Sequence, residues 1–185
     1  MKYIIISFTF LVAMLSSCNY VSKIADTATG MQMDGESAYT KAAEVLGKVD
    51  PAWKVYTFRI ANEGVPDECK NTLGYVHVGM MNADGEVYSQ NLYPVKSDPS
   101  IDSFAPKGAT YDEIPAIDFS ADKALKYINE CKSKIPEGYK FLNLDHYEMK
   151  YDVKAKGFIT EITLNMQEIG KESVDVNGTQ SGVYY

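Results

Sequence analysis

Two histidines, His77 and His146, are the side chains of this chain best suited to acid–base chemistry or metal binding. Imidazole titrates near neutral pH and is a common metal ligand. Both residues fall on the polar sides of predicted strands, His146 close to Glu148 and Lys150. If the chain consists of two pseudo-symmetric halves, the histidines could meet as a metal or acid–base pair. The alternative, which their polar neighbours favour, is two half-exposed histidines on a sheet.

Sequence motifs do not supply a catalytic centre. The chain has no His-Glu-x-x-His, Gly-x-Ser-x-Gly or P-loop spacing. Neither Cys69 nor Cys131 lies in a motif that would activate a thiolate. The segment 82–86 contains part of a calcium-loop pattern, but it lacks the remaining oxygen ligands and is interpreted as a turn. We expect no catalytic residue, no metal and no cofactor.

Tyrosine is abundant, with fourteen residues in the chain. Tyr88, Tyr93 and Tyr111 lie in or beside an irregular middle segment, where a ring and a hydroxyl suit protein interfaces and sugar stacking. The alternative is ordinary strand propensity. We predict a contact surface formed by these three tyrosines with His77, on the 88–115 segment and the polar sheet face that also holds Glu161.

Hydrophobic periodicity indicates the elements that must position these residues. In the first half, apolar residues at helical spacing and then alternating patterns predict a helix and three strands: Ser37–Val49, Trp53–Ala61, Tyr75–Met81 and Glu86–Tyr93. In the second half, Ser120 is a plausible N-cap for a helix that ends at Pro136. Two long strands follow, Tyr139–Val153 and Gly157–Ile169, and the Asn177-Gly178 dipeptide predicts a short final hairpin.

The repeated order of helix, strand and strand predicts an α+β fold. We expect two α-β-β units with antiparallel sheets and the helices on one face, at residues 37–93 and 119–185. Residues 94–118 form an irregular Pro-rich connection, either a linker or a functional surface loop. The units loosely resemble small periplasmic modules of the PepSY and β-lactamase-inhibitor-like kind, which implies a similar α+β architecture.

The N-terminus has the pattern of a secretory signal, with Lys2 followed by an apolar run from Ile4 to Leu15. Twelve helical residues span only about 18 Å, short of the roughly 30 Å of a hydrocarbon core. The run ends in Leu15-Ser16-Ser17-Cys18, which resembles the lipobox of bacterial lipoproteins. The resemblance implies a signal peptide at 1–17 and lipid on Cys18, so residues 18–36 are predicted to be a lipidated tether.

The expected location is the outer membrane, facing the periplasm. Asn19 stands where lipoproteins of the inner membrane often have Asp, and no acidic residue precedes Asp26. The alternative is the cell surface. In an oxidising compartment Cys69 and Cys131 could form a disulfide, the alternative being two free buried thiols.

Charge and composition exclude one class of partner. Eighteen basic and 25 acidic side chains give a net charge of −7, which disfavours nucleic acid. We therefore expect a non-catalytic lipoprotein, anchored through Cys18, that binds another envelope protein. The alternatives are a ligand-binding lipoprotein for a glycan, peptide or small molecule, and a hydrolase built around His77 or His146.

Overall fold

One antiparallel sheet and two helices make up the described part of the protein, which confirms the α+β class. The computed structural model describes residues 30–63, 70–102, 106–170 and 178–185. Its elements in chain order are α1 (Glu36–Leu46), β1 (Lys54–Asn62), β2 (Leu73–Met81), β3 (Val87–Tyr93), β4 (Ser100–Ile101), a 3-10 turn (Tyr111–Glu113), α2 (Ala121–Lys132), β5 (Tyr139–Asp152), β6 (Gly157–Glu168) and β7 (Gly178–Tyr184).

The strands form a single seven-stranded sheet in the order β4-β3-β2-β1-β5-β6-β7. Strands β1 and β5 pair at its centre, from Thr57 opposite Lys150 to Ala61 opposite His146. All other pairs of adjacent strands are also antiparallel. The sheet is thus continuous across the two halves of the chain.

Both helices cover the same face of the sheet. The core there joins Ala38 and Ala42 of α1, Ile128 of α2, and the strand residues Phe58 and Val78, all fully buried. Burying one such large apolar side chain contributes about 1.5–3 kcal/mol, so this face holds the helices in place. The predicted N-cap of the second helix is confirmed, because the Lys123 amide donates to Ser120 Oγ at 3.3 Å.

In the segment 94–118, Ile117 packs on the helix-side core, whereas Tyr111 and Ile114 pack against the opposite face at one end of the sheet. Ile114 is fully buried there among Tyr56, Met81 and Tyr151. The Tyr111 hydroxyl donates to the carbonyl of Ala52 at 3.0 Å. The segment is therefore anchored to the folded domain at these points, and its described residues also contain β4 and the 3-10 turn.

Residues after Gly30 also belong to the domain, although they were assigned to the tether. Met33 is fully buried, and its amide donates to the carbonyl of Asn71 at 2.7 Å. The Asn71 side chain donates to Asp34 at 2.7 Å and accepts from the Leu144 amide at 2.9 Å. Lys132 of α2 contacts the same Asp34 carboxylate at 2.9 Å.

One local prediction is wrong. Alternation along the predicted strand Trp53–Ala61 places Tyr56 on the side of Phe58 and Ile60, but the register shifts between Val55 and Thr57, and this bulge places Tyr56 on the other face. The final hairpin predicted at Asn177-Gly178 lies mostly outside the described residues. Gly178 is the first residue of β7, which pairs with β6 from Met166 to Thr160; residues 171–177 are not described, so the hairpin stays a prediction.

Candidate functional site

The face of the sheet that the helices leave uncovered, here called the open face, carries a row of polar side chains. In successive strands from β6 to β3, residues Glu161, Glu148, Arg59, His77 and Asn91 stand opposite one another. These positions alternate with the buried ones, because side chains along a strand point to opposite faces. The prediction that His77 lies on a polar sheet face with Glu161 is consistent with this register.

Each glutamate of the row is close to a cation. Arg59 Nη1 lies 3.8 Å from Glu148 Oε1, and the Thr57 hydroxyl donates to the same oxygen at 3.4 Å. Lys150 Nζ lies 2.6 Å from Glu161 Oε2. Since like charges directly opposite each other in a sheet are destabilising, these contacts offset the repulsion between the two glutamates.

A cleft of about 780 Å³ opens between this row and the irregular segment. Its floor includes Arg59, His77 and Lys150, and Ile101 with Asp102 stand at its edge. The Tyr56 hydroxyl donates to the Asp102 carboxylate and so joins the segment to the sheet. Burial, followed by this contact, raises the pKa of Tyr56, which keeps the phenol protonated.

Gly79 makes room for the Tyr56 ring. A Cβ atom at Gly79 would lie 2.6 Å from ring atoms of Tyr56 and 2.7 Å from the Thr57 methyl group. Only a residue without a side chain therefore fits beneath that ring. The wall of the cleft depends on this close approach.

Arg59 is the one arginine of the chain. Its side chain is 34% exposed, and its Nε atom is buried without a hydrogen-bond partner. Among the described residues the guanidinium makes no hydrogen bond, because its nearest carboxylate oxygen is 3.8 Å away. A guanidinium offers five N–H donors in a fixed plane, so acceptors for them must come from water or from a bound molecule.

The two histidines share the open face but do not meet. His77 stands opposite Arg59 on β2, whereas His146 stands opposite Ala61 on β5, with β1 between them. Two strand spacings and a two-residue offset along β1 separate their backbones by about 12 Å. His77 Nδ1 is 2.9 Å from Asn91 Oδ1, and His146 Nδ1 is 2.6 Å from Asp145 Oδ2.

The contact of Asp145 with His146 has an electrostatic consequence. The hydrogen bond from His146 lowers the pKa of the Asp145 carboxyl, and the charges of His146 and Arg59 act in the same direction. Within the described residues no group of three or more His, Cys, Asp or Glu side chains is arranged to hold a metal ion.

The three tyrosines predicted to form a contact surface lie in separate places. Tyr88 packs edge-on against Trp53, with ring centroids 5.0 Å apart, and by its register with Met80 lies on the helix side. Tyr93 packs at the border of the main core. Tyr111 lies against the other face, its ring 5.6 Å from the Lys54 ammonium group. Of the four predicted contact residues, the cleft contains His77 alone.

Several cleft residues were missed from the sequence, namely Arg59, Glu148, Lys150, Asp102 and Tyr151. A signal did exist for Arg59, because it is unique in the chain and alternates with the apolar residues Phe58 and Ile60. The others come from distant parts of the chain, and the sheet register alone brings them together.

The expectation that the chain contains no Ser-x-x-Lys spacing is wrong, because Ser120 and Lys123 have it. The structure explains it without catalysis. Ser120 Oγ accepts the Lys123 amide as a helix cap, and Lys123 Nζ lies 3.4 Å from Asp118. A serine nucleophile would instead need a base next to its hydroxyl.

The cysteine predictions fall mostly outside the described residues. Cys18 with its lipobox and Cys69 both lie there, so lipidation and the disulfide stay predictions. Cys131 is buried and has no disulfide partner among the described residues; its Sγ lies 3.9 Å from the carbonyl oxygen of Gln180. Burial raises the pKa of this thiol, which disfavours a reactive thiolate.

Comparison with known proteins adds no assignment: no family model, curated protein or solved structure matches the chain. Of the described helices, neither α1 nor α2 is long and apolar enough to cross a membrane.

Proposed function

We propose that this protein is a lipid-anchored, non-catalytic binding module of the bacterial envelope, and that it binds another envelope protein through the open face of its sheet. The anchor is the acylated Cys18 of the Leu15-Ser16-Ser17-Cys18 motif. Several acyl chains at about 0.8 kcal/mol per buried methylene hold a protein on a membrane permanently. The location is the periplasmic side of the outer membrane.

The observation that carries this proposal is the one-sided covering of the sheet. Both helices pack on the Phe58 face, whereas the other face presents Glu161, Glu148, Arg59 and His77 next to one another. A surface of mixed charge gives a protein partner orientation and specificity. Such a surface suits recognition of a protein partner.

The order of the strands supports two related units within the domain. Going outward from the central β1–β5 pair, the sheet continues through β2 and β3 on one side and through β6 and β7 on the other. Helix α1 precedes the first group in sequence and α2 precedes the second. We interpret the domain as two α-β-β units, each extended by a third strand, that share one sheet.

Photo-crosslinking in cells tests the docking surface. A photoreactive amino acid is placed at Asn91 or Ser181, exposed on the open face, and for comparison at Thr40 of α1 or Lys126 of α2. The lipidated protein is captured through a C-terminal tag, and adducts are identified by mass spectrometry. We expect one envelope protein to be crosslinked from Asn91 and Ser181. Adducts from the helix positions alone, or none at all, would refute the proposal.

The anchor has a separate test. In a Cys18→Ala variant, we expect the protein to lose its acyl mass and to move from the membrane fraction to the aqueous phase in detergent partitioning. A variant that keeps its membrane association would contradict the lipobox interpretation. Protease treatment of intact cells then separates the two orientations, because only a surface-exposed protein would be digested.

A second candidate function is favoured by the concavity of the site. The cleft volume of about 780 Å³ falls in the range of roughly 300–1,000 Å³ typical of small-molecule sites. Polar groups converge on its floor beside the tyrosine rings of residues 56 and 151. This combination suits a small ligand, so ligand binding stands as the alternative to a protein partner.

A further inference from the structure

We infer that the cleft on the open face binds an organic monocarboxylate, and that the guanidinium of Arg59 receives the carboxylate group. This inference rests on the second candidate function, ligand binding in the cleft. It is independent of whether a protein partner docks on the rest of the face. Its argument has three parts: the open donors of Arg59, the charges around them, and the apolar surface beside them.

The donors of Arg59 lack acceptors. Within the described residues its guanidinium makes no hydrogen bond, and Nε is enclosed without a partner. A half-buried guanidinium has a strong demand for acceptors, because an unsatisfied buried donor costs about 1–3 kcal/mol, more when charged. A carboxylate satisfies two donors at once through parallel hydrogen bonds. It is therefore the ligand group that fits this arrangement.

The other charged groups of the cleft already have close partners. Lys150 is 2.6 Å from Glu161, and the Asp102 carboxylate accepts from the Tyr56 hydroxyl. Arg59 differs from Lys150, because its guanidinium lies 3.8 Å from the Glu148 carboxylate, a distance longer than a hydrogen bond. A ligand carboxylate can approach it without breaking a short ion pair.

His77 supplies a second polar contact beside Arg59. The two residues stand opposite each other on adjacent strands. Asn91 engages Nδ1 of His77 at 2.9 Å and fixes the ring, and Nε2 has no hydrogen-bond partner among the described residues. A ligand oxygen bound at Arg59 is thus within the reach of a neighbouring imidazole nitrogen.

The acidic groups of the cleft limit the charge of the ligand. Glu148 and Asp102 both line it, and they would repel a doubly charged phosphate more strongly than a singly charged carboxylate. The ligand body has an apolar contact available in Ile101, which is 84% exposed at the edge of the cleft, with the ring of Tyr151 below. A monocarboxylate with an aromatic or aliphatic body matches both features.

The test uses NMR titration of the full chain in detergent, with phenylacetate as the probe and phenylacetamide as its neutral, equally sized counterpart. We expect phenylacetate to shift the amide signals of β1 and β2 around Arg59 saturably, with a dissociation constant in the millimolar range. Phenylacetamide should bind at least tenfold more weakly, because it lacks the charge that the guanidinium recognises.

Variants locate the binding group. Arg59→Gln should weaken phenylacetate binding at least tenfold, and Arg59→Lys should weaken it less, since the charge stays but the planar fork is lost. Lys126→Gln, which removes one positive charge from the exposed side of α2, should leave binding unchanged. Signal dispersion of each variant in the same spectra shows that it is folded.

Three results would overturn the inference: no saturable shift with phenylacetate, equal binding of acid and amide, or unchanged binding by Arg59→Gln. These outcomes do not touch the crosslinking result. If phenylacetate does not bind but crosslinking from Asn91 and Ser181 succeeds, the ligand site is refuted and the protein-binding function stands. If phenylacetate binds but crosslinking fails, only the ligand site stands.

Discussion

Replacing Ile114 by Ala tests whether the part of the segment 94–118 around Ile114 is held on the open face of the sheet. Ile114 is fully buried against Tyr56, Met81 and Tyr151, although it lies in an irregular stretch flanked by exposed residues. If these contacts hold the segment, their loss must destabilise the whole protein. If the segment were a loose connection, the substitution would have little effect.

The expected loss follows from the burial. Shortening Ile to Ala removes three carbon atoms from the core at about 0.8 kcal/mol each, or about 2.4 kcal/mol of transfer free energy. The void left among the three neighbours adds about 24 cal/mol for each Å³ that does not collapse. We therefore expect the free energy of unfolding to fall by about 3 kcal/mol, within the range seen for large-to-small core substitutions.

Equilibrium urea unfolding measures this loss, and Ile101→Ala provides the matched control. Ile101 lies in the same segment and has the same side chain, but it is 84% exposed, so its replacement should change stability by less than about 0.5 kcal/mol. A fall of less than about 1 kcal/mol for Ile114→Ala, no larger than that of Ile101→Ala, would refute the docking of the segment.

Three further predictions concern stability. Gly79→Ala should lower the free energy of unfolding by about 1–3 kcal/mol through overpacking. Gly157→Ala should melt like the parent protein, because the nearest atom to its added Cβ would be 3.9 Å away. Asn71→Ala breaks two hydrogen bonds, and in urea unfolding it should lower the free energy of unfolding by about 1–3 kcal/mol. The control Asn129→Ala, at an exposed position, should cause no loss. The folded-state pKa of Asp145 is lowered, so its ionised form stabilises the native state above about pH 4. Asp145→Asn should therefore lower the free energy of unfolding at neutral pH, and this loss should disappear on acidification. A loss that is the same at all pH values would contradict this prediction.

Local patterns predicted the elements and the faces of several residues. Alternation along β2 places Val76 and Val78 in the core and His77 on the polar side, as the register shows. Helical spacing likewise places Ala124 and Ile128 on one face of α2, and both are buried. These properties depend on the periods of strand and helix, which neighbouring residues determine by themselves.

Long-range contacts were beyond the reach of such patterns. The pairing of Arg59 with Glu148 joins strands 89 positions apart, and nothing in either strand specifies that register. The bulge at Tyr56 is equally hidden, because an extra residue in a strand leaves the hydrophobic pattern apparently regular. The cleft depends on both features, so its composition could not be derived from the sequence.

The cleft lies where the open face changes from covered apolar residues to exposed polar residues. At one end the apolar residues Tyr56 and Met81 are covered by Ile114; beyond them the face is polar and needs no cover. The fold gains little from a guanidinium at this boundary, because the Arg59–Glu148 contact, at 3.8 Å, is longer than a hydrogen bond and leaves the guanidinium donors unsatisfied. Stability therefore does not account for the position of the only arginine. Recognition of an acceptor group in the cleft does, because it uses the donors that the fold leaves unpaired.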